Sequence, residues 1–323
     1  MKRSSLDQWI LAKHDLDTSD REAVRHYQLA GIRQLIIYAR ENSKLYGNLY
    51  AGLDPPGSLA AFTSFPTISA RELTGRGQDL LCVSPSRIDR IVTLRTSGTT
   101  QSPKRVFFTR QDVDLTLDFF QHGMKTLCGP GDRALILFPA KTPDSVGALL
   151  STALQRLGLT VHCSGVEEAG EHFKASPFEV VCGPASWVVE AAKRNPGLAV
   201  RSVLTSSEVL DRPMREGLEH LWGAEVFDHY GMTETGLGGA VECQAHEGMH
   251  IRENDLYLEC LDVRGKPLPD GQEGELTVTT LTRQGMPFIR YRTGDRGVIT
   301  DGTCLCGSRI RRILWVRRVE SVN

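Results

Sequence analysis

Over residues 20–39 apolar side chains recur at Val24, Tyr27, Leu29, Ile32, Leu35, Ile36 and Ala39, the spacing of one helical face, and Asp20 or Ser19 supplies its N-cap. A turn at Asp54-Pro55-Pro56-Gly57 and a short link over 58–62 follow; Ser69 and Glu72 then carry a capping-box pattern that opens another helix. Residues 110–127 read as helix, 134–138 as a buried strand, and Val146, Leu149, Leu150, Ala153, Leu154 and Leu157 as a helical face opened by Thr142-Pro143 and ended by Gly158. The alternation repeats, with strands at 160–163, 179–182, 201–204 and 225–227 and helices at 185–194 and 212–222. Strands alternating with helices predict right-handed crossovers and a parallel sheet covered on both faces. From Leu256 the period drops to two: Leu256, Leu258 and Cys260 face one way, Pro269-Asp270-Gly271 turns, and Leu276 and Val278 return, before a last strand region over 289–299. The predicted fold class is α/β: a helical N-terminal region over 1–90, mostly parallel sheets covered by helices over 91–235, and a small β subdomain over 236–323.

Composition narrows the function. At 323 residues, 40% hydrophobic and 24% charged, the chain can bury a substantial core. A formal net charge of -1 leaves no global basic field for nucleic acid or an anionic membrane, which points to a small-molecule partner. Met1-Lys2-Arg3 is basic, but no unbroken apolar run follows before Lys13 and Asp15, and none elsewhere reaches membrane-spanning length; the expectation is a cytoplasmic protein with no membrane partner. The eight cysteines are too few to be needed as staples in a chain this large, so reduced thiols are expected, some of them holding metal.

Three stretches carry chemistry. In Leu94-Arg95-Thr96-Ser97-Gly98-Thr99-Thr100-Gln101-Ser102-Pro103-Lys104 four hydroxyls surround Gly98 and a lysine follows, a loop able to face a polyphosphate although it lacks the Walker A spacing. Alone, it also reads as a polar turn. The second is Asp228-His229-Tyr230-Gly231-Met232-Thr233-Glu234, which follows a strand as Thr205-Ser206-Ser207-Glu208 does, so both belong at the carboxyl edge of a parallel sheet, where ligands sit. The third stretch is Tyr291-Arg292-Thr293-Gly294-Asp295.

In this order the loop, the Tyr-Gly-Met-Thr-Glu segment and the Thr-Gly-Asp segment resemble the core signatures of the adenylate-forming superfamily of acyl-CoA synthetases, adenylation domains and luciferases. Arg40 to Tyr46, Phe65-Pro66-Thr67-Ile68, Glu242-Cys243, Gly285-Met286-Pro287 and Cys304-Leu305-Cys306-Gly307 resemble the phenylacetate-CoA ligase branch. The resemblance implies ATP-dependent activation of a carboxylic acid, an aryl or similar one, to an acyl-adenylate with release of pyrophosphate. Ser97, Gly98, Thr99, Thr100 and Lys104 would hold the β and γ phosphates, Thr233 the α-phosphate, and Glu234 a Mg²⁺ ion. Tyr230 with Gly231 would stack on adenine, with Asp228, Ser207 and Glu208 at its edge, and Asp295 would accept the ribose hydroxyls. Taken singly, Glu234 reads equally as a helix-start carboxylate and Asp295 as a turn residue.

Cys243, His250, Cys304 and Cys306 make three thiols and an imidazole, the donor set of a closed structural zinc site, and the zinc-binding members of the branch carry this pattern; buried free cysteines beside a surface histidine are the competing reading. Phe138, Pro139, Gly183, Pro184 and Trp187 follow strands and would line an acid pocket, or simply belong to the core.

The sequence departs from the family at Gln101, where glycine is usual, and at Trp315 and Val316, where a Gly-Arg hinge is usual. Relatives continue into a mobile C-terminal domain that supplies a lysine for adenylation, and this chain stops at Asn323. The resemblance therefore implies that the acyl group passes to CoA or to an acyl-acceptor protein, or that the chain works with a separate C-terminal module. Two other classes compete: an ATP- or AMP-binding protein of impaired catalysis with a regulatory or scaffold role, and a zinc hydrolase, which a closed ligand set disfavours.

Overall fold

The structure is a computed structural model that describes residues 2–94, 104–143 and 145–318. The chain opens with helices α1 (Ser5–His14), α2 (Arg21–Asn42), α3 (Lys44–Leu49), α4 (Leu59–Phe62) and α5 (Ala70–Leu73). Asp20 caps α2 by accepting from the Glu22 and Ala23 backbone N–H groups, and the Ser69–Glu72 capping box opens α5. The hairpin β1 (Ile88–Leu94) and β2 (Lys104–Thr109) leads into α6 (Arg110–Met124).

The alternating region follows as β3 (Arg133–Ile136), α7 (Val146–Arg156), β4 (Thr160–Cys163), α8 (Ala169–Ala175), β5 (Val180–Pro184), α9 (Ala185–Arg194), β6 (Ser202–Ser206), α10 (Arg212–Trp222) and β7 (Glu225–Tyr230). Then come β8 (Ala240–Glu242), β9 (Met249–Ile251), β10 (Leu256–Leu261), β11 (Glu273–Thr280), β12 (Tyr291–Thr300) and β13 (Arg312–Arg318). Among the described residues eleven strands form one sheet, in the order β10-β11-β12-β13-β9-β8-β7-β6-β5-β3-β4. The run from β7 to β4 is parallel, as the βα alternation requires, and the rest is antiparallel. Leu258 lies opposite Val278 and Cys260 opposite Leu276, the pairing that period-two spacing around Pro269-Asp270-Gly271 predicts. The β-rich end of the chain is thus hydrogen-bonded edge to edge with the parallel block.

Both faces of the inner parallel strands are buried, and successive residues show it. Val180 and Cys182 of β5, Leu204 of β6 and Phe227 of β7 enter one core cluster. Their neighbours Val181, Val203 and Val226 enter another, beneath α9 and α10. That alternation is the pleat of a strand covered on both sides.

Sequence periodicity places the start of α7 at Thr142-Pro143, whereas the helix begins at Val146 after Ser145. Close packing against the end of β3 decides this. The Gly147 N–H donates to the Pro139 carbonyl at 3.0 Å, and a Cβ at Gly147 would lie 2.6 Å from the Phe138 oxygen. Helix α1 is not among the predicted elements; it buries Leu6, Trp9 and Ile10, one helical face. Trp9 Nε1 donates to Asp118 of α6 at 3.1 Å and Lys13 Nζ at 2.7 Å. Burial pushes the Asp118 carboxyl up, but His122 and Lys13 outweigh it and hold the group well below its ordinary value.

A buried ion pair fastens the N-terminal helices to the sheet. Arg290, 2% exposed, lies 3.1 Å from Glu259, and its Nη1 donates to the Thr63 and Phe65 carbonyls. Glu259→Ala leaves that guanidinium buried without its counter-charge, so urea denaturation at neutral pH is expected to show a loss of about 3–5 kcal/mol. An unchanged midpoint would contradict it.

Candidate active site

Lys104 begins β2 and Glu234 sits in a 3-10 turn (Thr233–Thr235) just past β7. They are 130 residues apart in number, yet Lys104 Nζ is 4.0 Å from Glu234 Oε1, with side-chain exposures of 16% and 3%. The Tyr291 hydroxyl donates to the same oxygen at 2.8 Å. Two buried arginines fix the turn's backbone: Arg283 donates to the Glu234 carbonyl at 3.0 Å and Arg252 to the Thr235 carbonyl at 2.6 Å. All three sequence signatures therefore have a member at one place, with a carboxylate held out of bulk water beside an ammonium.

The Tyr230 hydroxyl donates to Asp295 Oδ2 at 3.0 Å, and Arg318 approaches Asp295 Oδ1 at 3.5 Å. Burial raises the Asp295 carboxyl above its ordinary value, with Arg318 pulling the other way. Gly231 is required by close approach: a Cβ there would lie 2.4 Å from the Leu237 oxygen and 2.7 Å from His229 Cε1. Ser207 has φ 70, a left-handed backbone at the end of β6 that a non-glycine residue seldom adopts. Glu208 next to it turns to α9, accepting from Ser186 N at 2.7 Å and Ser186 Oγ at 3.0 Å. Ser97, Gly98, Thr99, Thr100 and Gln101 lie outside the described residues.

Asp228 accepts from Thr205 Oγ1 and from the His229 N–H, while its own N–H donates to Glu242 at 2.9 Å. Burial, reinforced by the Glu242 charge, raises the Asp228 carboxyl to about 7. Because the folded value lies above the unfolded one, folding favours the protonated acid. The associated stability is complete below the unfolded value near 3.8 and is lost as pH rises towards 7. Asp228→Asn is therefore expected to gain stability relative to the unsubstituted chain as pH rises from 4 to 7, and to show no further relative change above it. Denaturant midpoints of both proteins across that range check this; a difference independent of pH would refute it.

A cavity of about 360 Å³ adjoins part of this set; Asp228, Tyr230 and Asp295 are not among the described residues that line it. Lys104, Ser206, Ser207, Gly231, Thr233, Glu234 and Arg318 line it together with Phe119, Phe120, Met124, Phe138, Leu150 and Val241. Of the five residues expected to form an acid pocket only Phe138 lines this cavity; Gly183 packs against Leu137 and Val188, and Trp187 is 39% exposed at the surface. Phe119 and Phe120 were not anticipated. Their helix was legible, but periodicity cannot say which part of a buried face adjoins empty space.

The family model described as AMP-binding enzyme matches residues 66–282, about two thirds of the chain. This chain belongs to the AMP-binding enzyme family. Among curated relatives, phenylacetate-coenzyme A ligase of Pseudomonas putida is 28% identical over 322 residues, covering 92% of this chain and 72% of that protein. Phenylacetate-coenzyme A ligase of Escherichia coli (strain K12) is 28% identical over 323 residues with the same coverages. A solved structure of 2-hydroxyisobutyryl-CoA ligase, in complex with 2-HIB-AMP and CoA, superposes with TM-score 0.81 at 21% identity. That match covers 92% of this chain and 68% of the other, and it shows that the two share a fold.

In this AMP-binding enzyme the four predicted metal ligands also meet. Cys243 follows β8, His250 lies on β9, and Cys304 and Cys306 lie between β12 and β13; their donor atoms are all within 4.8 Å of one another and the residues are buried. Cys243 and Cys304 sulfurs are 3.7 Å apart, His250 Nε2 is 3.3 Å from Cys243 Sγ, and Cys306 Sγ is 3.7 Å from His250 Nε2. A tetrahedral ion with bonds of about 2.3 Å to sulfur places sulfurs about 3.8 Å apart, so the donor set fits such an ion. Burial lowers the His250 pKa to about 3, leaving a neutral ring able to donate a lone pair, and it pushes the Cys243 and Cys304 thiols up. Among the described residues no helix is long and apolar enough to cross a membrane.

Proposed function

We propose that the chain uses ATP to activate a carboxylic acid, forming an acyl-adenylate and releasing pyrophosphate. The observation that carries this is the pairing of Lys104 and Glu234 at the wall of an apolar cavity. The acid's carboxylate oxygen bonds to the α-phosphorus while the bond from that phosphorus to the bridging oxygen breaks, so the protein's work is positioning and neutralising charge. Lys104 neutralises the leaving phosphates, Thr233 contacts the α-phosphate, and Asp295 with Tyr230 receives the ribose and adenine end. Mg²⁺ held at Glu234 supplies further charge neutralisation on the phosphates when bound. The apolar walls suit an aryl or similarly flat acid. CoA is the acceptor that the ligase relatives suggest, and an acyl-acceptor protein is the other. The Cys243, His250, Cys304 and Cys306 cluster is assigned to structural zinc, and the three-part division at residues 90 and 235 places it in the last part, beyond the nucleotide-binding segment. Acid-dependent ATP–pyrophosphate exchange across aryl, aliphatic and amino acids tests the reading. If ATP binds but no acid supports exchange, the reading fails.

A further inference from the structure

One buried polar pair in the cavity wall takes no part in the nucleotide chemistry. Ser206 ends β6, His229 lies beside it on β7, and both line the cavity. Ser206 Oγ and His229 Nδ1 are 2.8 Å apart. The imidazole is packed closely where it does not face the cavity. The Phe119 and Phe120 ring centroids lie 6.0 and 6.3 Å away, and a Cβ at Gly231 or Gly238 would come within 2.7 Å of Cε1 or 3.2 Å of Nε2.

Nε2 is buried with no hydrogen-bond partner among the described residues. This asymmetry decides where the single ring proton sits. A proton on Nε2 would be an orphaned buried N–H, which folded proteins tolerate less than an unused acceptor. On Nδ1 it is donated to Ser206 Oγ. Burial, with Arg252 adding to it, lowers the His229 pKa to about 4, so at neutral pH the ring carries one proton and no more. Ser206 then accepts from His229, and its own O–H has no other partner among the described residues. The cavity is the space left to receive it.

We propose that Ser206, oriented by His229, is a hydrogen-bond donor that selects acids whose apolar body carries an oxygen acceptor, a hydroxyl or ether on an aryl ring, over the unsubstituted parent acid. The inference rests on the acid-activating function proposed above. An acid lacking the acceptor leaves a buried hydroxyl unpaired, and sites built around a polar group discriminate against such analogues more strongly than apolar walls discriminate by size. Ser206 touches the substrate in this account; His229 is a positioning residue.

The test is exchange kinetics on the full chain with phenylacetate and benzoate, each paired with derivatives hydroxylated or methoxylated at each ring position. In the unsubstituted protein at least one derivative is expected to exceed its parent in kcat/KM by about tenfold or more. Ser206→Ala is expected to bring that ratio close to one, Ser206→Thr to restore part of it, and His229→Phe, which keeps a ring and loses Nδ1, to lower it. The ratio distinguishes recognition from damage, because a merely structural defect slows both members of a pair alike. If the unsubstituted protein prefers the parent acid in every pair, or Ser206→Ala leaves the ratio unmoved, the proposal is overturned while acid activation stands. Exchange with no acid overturns both. The comparison of acids on the unsubstituted protein requires no variant to fold.

Discussion

Glu234→Ala is expected to lower acid-dependent ATP–pyrophosphate exchange by about 10²–10³-fold, the range seen when one preorganised electrostatic contact is removed from a reaction centre. The residue is 2% exposed and its position is over-determined by Tyr291 and Lys104 on Oε1 and Arg283 on its backbone. Little of its effect can therefore be replaced by water or by a neighbour swinging in. The substitution also removes the acceptor of a buried tyrosine hydroxyl, worth about 1–3 kcal/mol of stability, which by itself would slow nothing in the fraction that folds. Tyr291→Phe separates the two effects, since it deletes the same hydrogen bond and keeps the carboxylate; its exchange rate should fall far less. Exchange that survives Glu234→Ala at saturating acid and ATP would remove Glu234 from the chemistry.

Loss of the ion from the four-ligand cluster is expected to be the largest stability effect available by a single change. Structural zinc in small domains contributes about 10–16 kcal/mol of apparent binding free energy at neutral pH, and in this chain it would be spread over an existing core. Metal analysis of protein purified without chelator should find one zinc per chain, and Cys304→Ser or Cys306→Ser should abolish it and lower the thermal midpoint more than Glu259→Ala does. The damage should also reach the nucleotide side. Glu242, beside Cys243, accepts from the Asp228 N–H at 2.9 Å and from Arg215 at 2.8 Å, so disorder around Cys243 loosens the end of β7. Protein that holds no zinc, or a Cys306→Ser variant with unchanged metal content, would refute the assignment.

Much of this was legible because the determinants are local. The cap at Asp20, the box at Ser69 and Glu72, and the βα alternation each depend on residues a few positions apart. That Lys104, Glu234 and Tyr291 meet was legible through ordered short motifs, and that Cys243, His250, Cys304 and Cys306 cluster was legible through residue type and the family resemblance. What escaped depends on distance. Strands β8 and β9 have three residues each, too few to show a period, yet they join the antiparallel strands to the parallel block. Nothing near Glu208 in sequence announces that its carboxylate will close onto Ser186, and nothing near Phe119 says that its ring will border a cavity. Such facts arise only when strands and helices are stacked.

The tie between α1 and α6 has a consequence for how such proteins are compared. Asp118, gripped by Trp9 and Lys13, immediately precedes the two phenylalanines that border the cavity. The placement of those two rings thus depends on a segment more than a hundred positions upstream that contributes no residue to the cavity lining. A comparison of relatives by their cavity residues alone therefore leaves out part of what holds the cavity's walls in place.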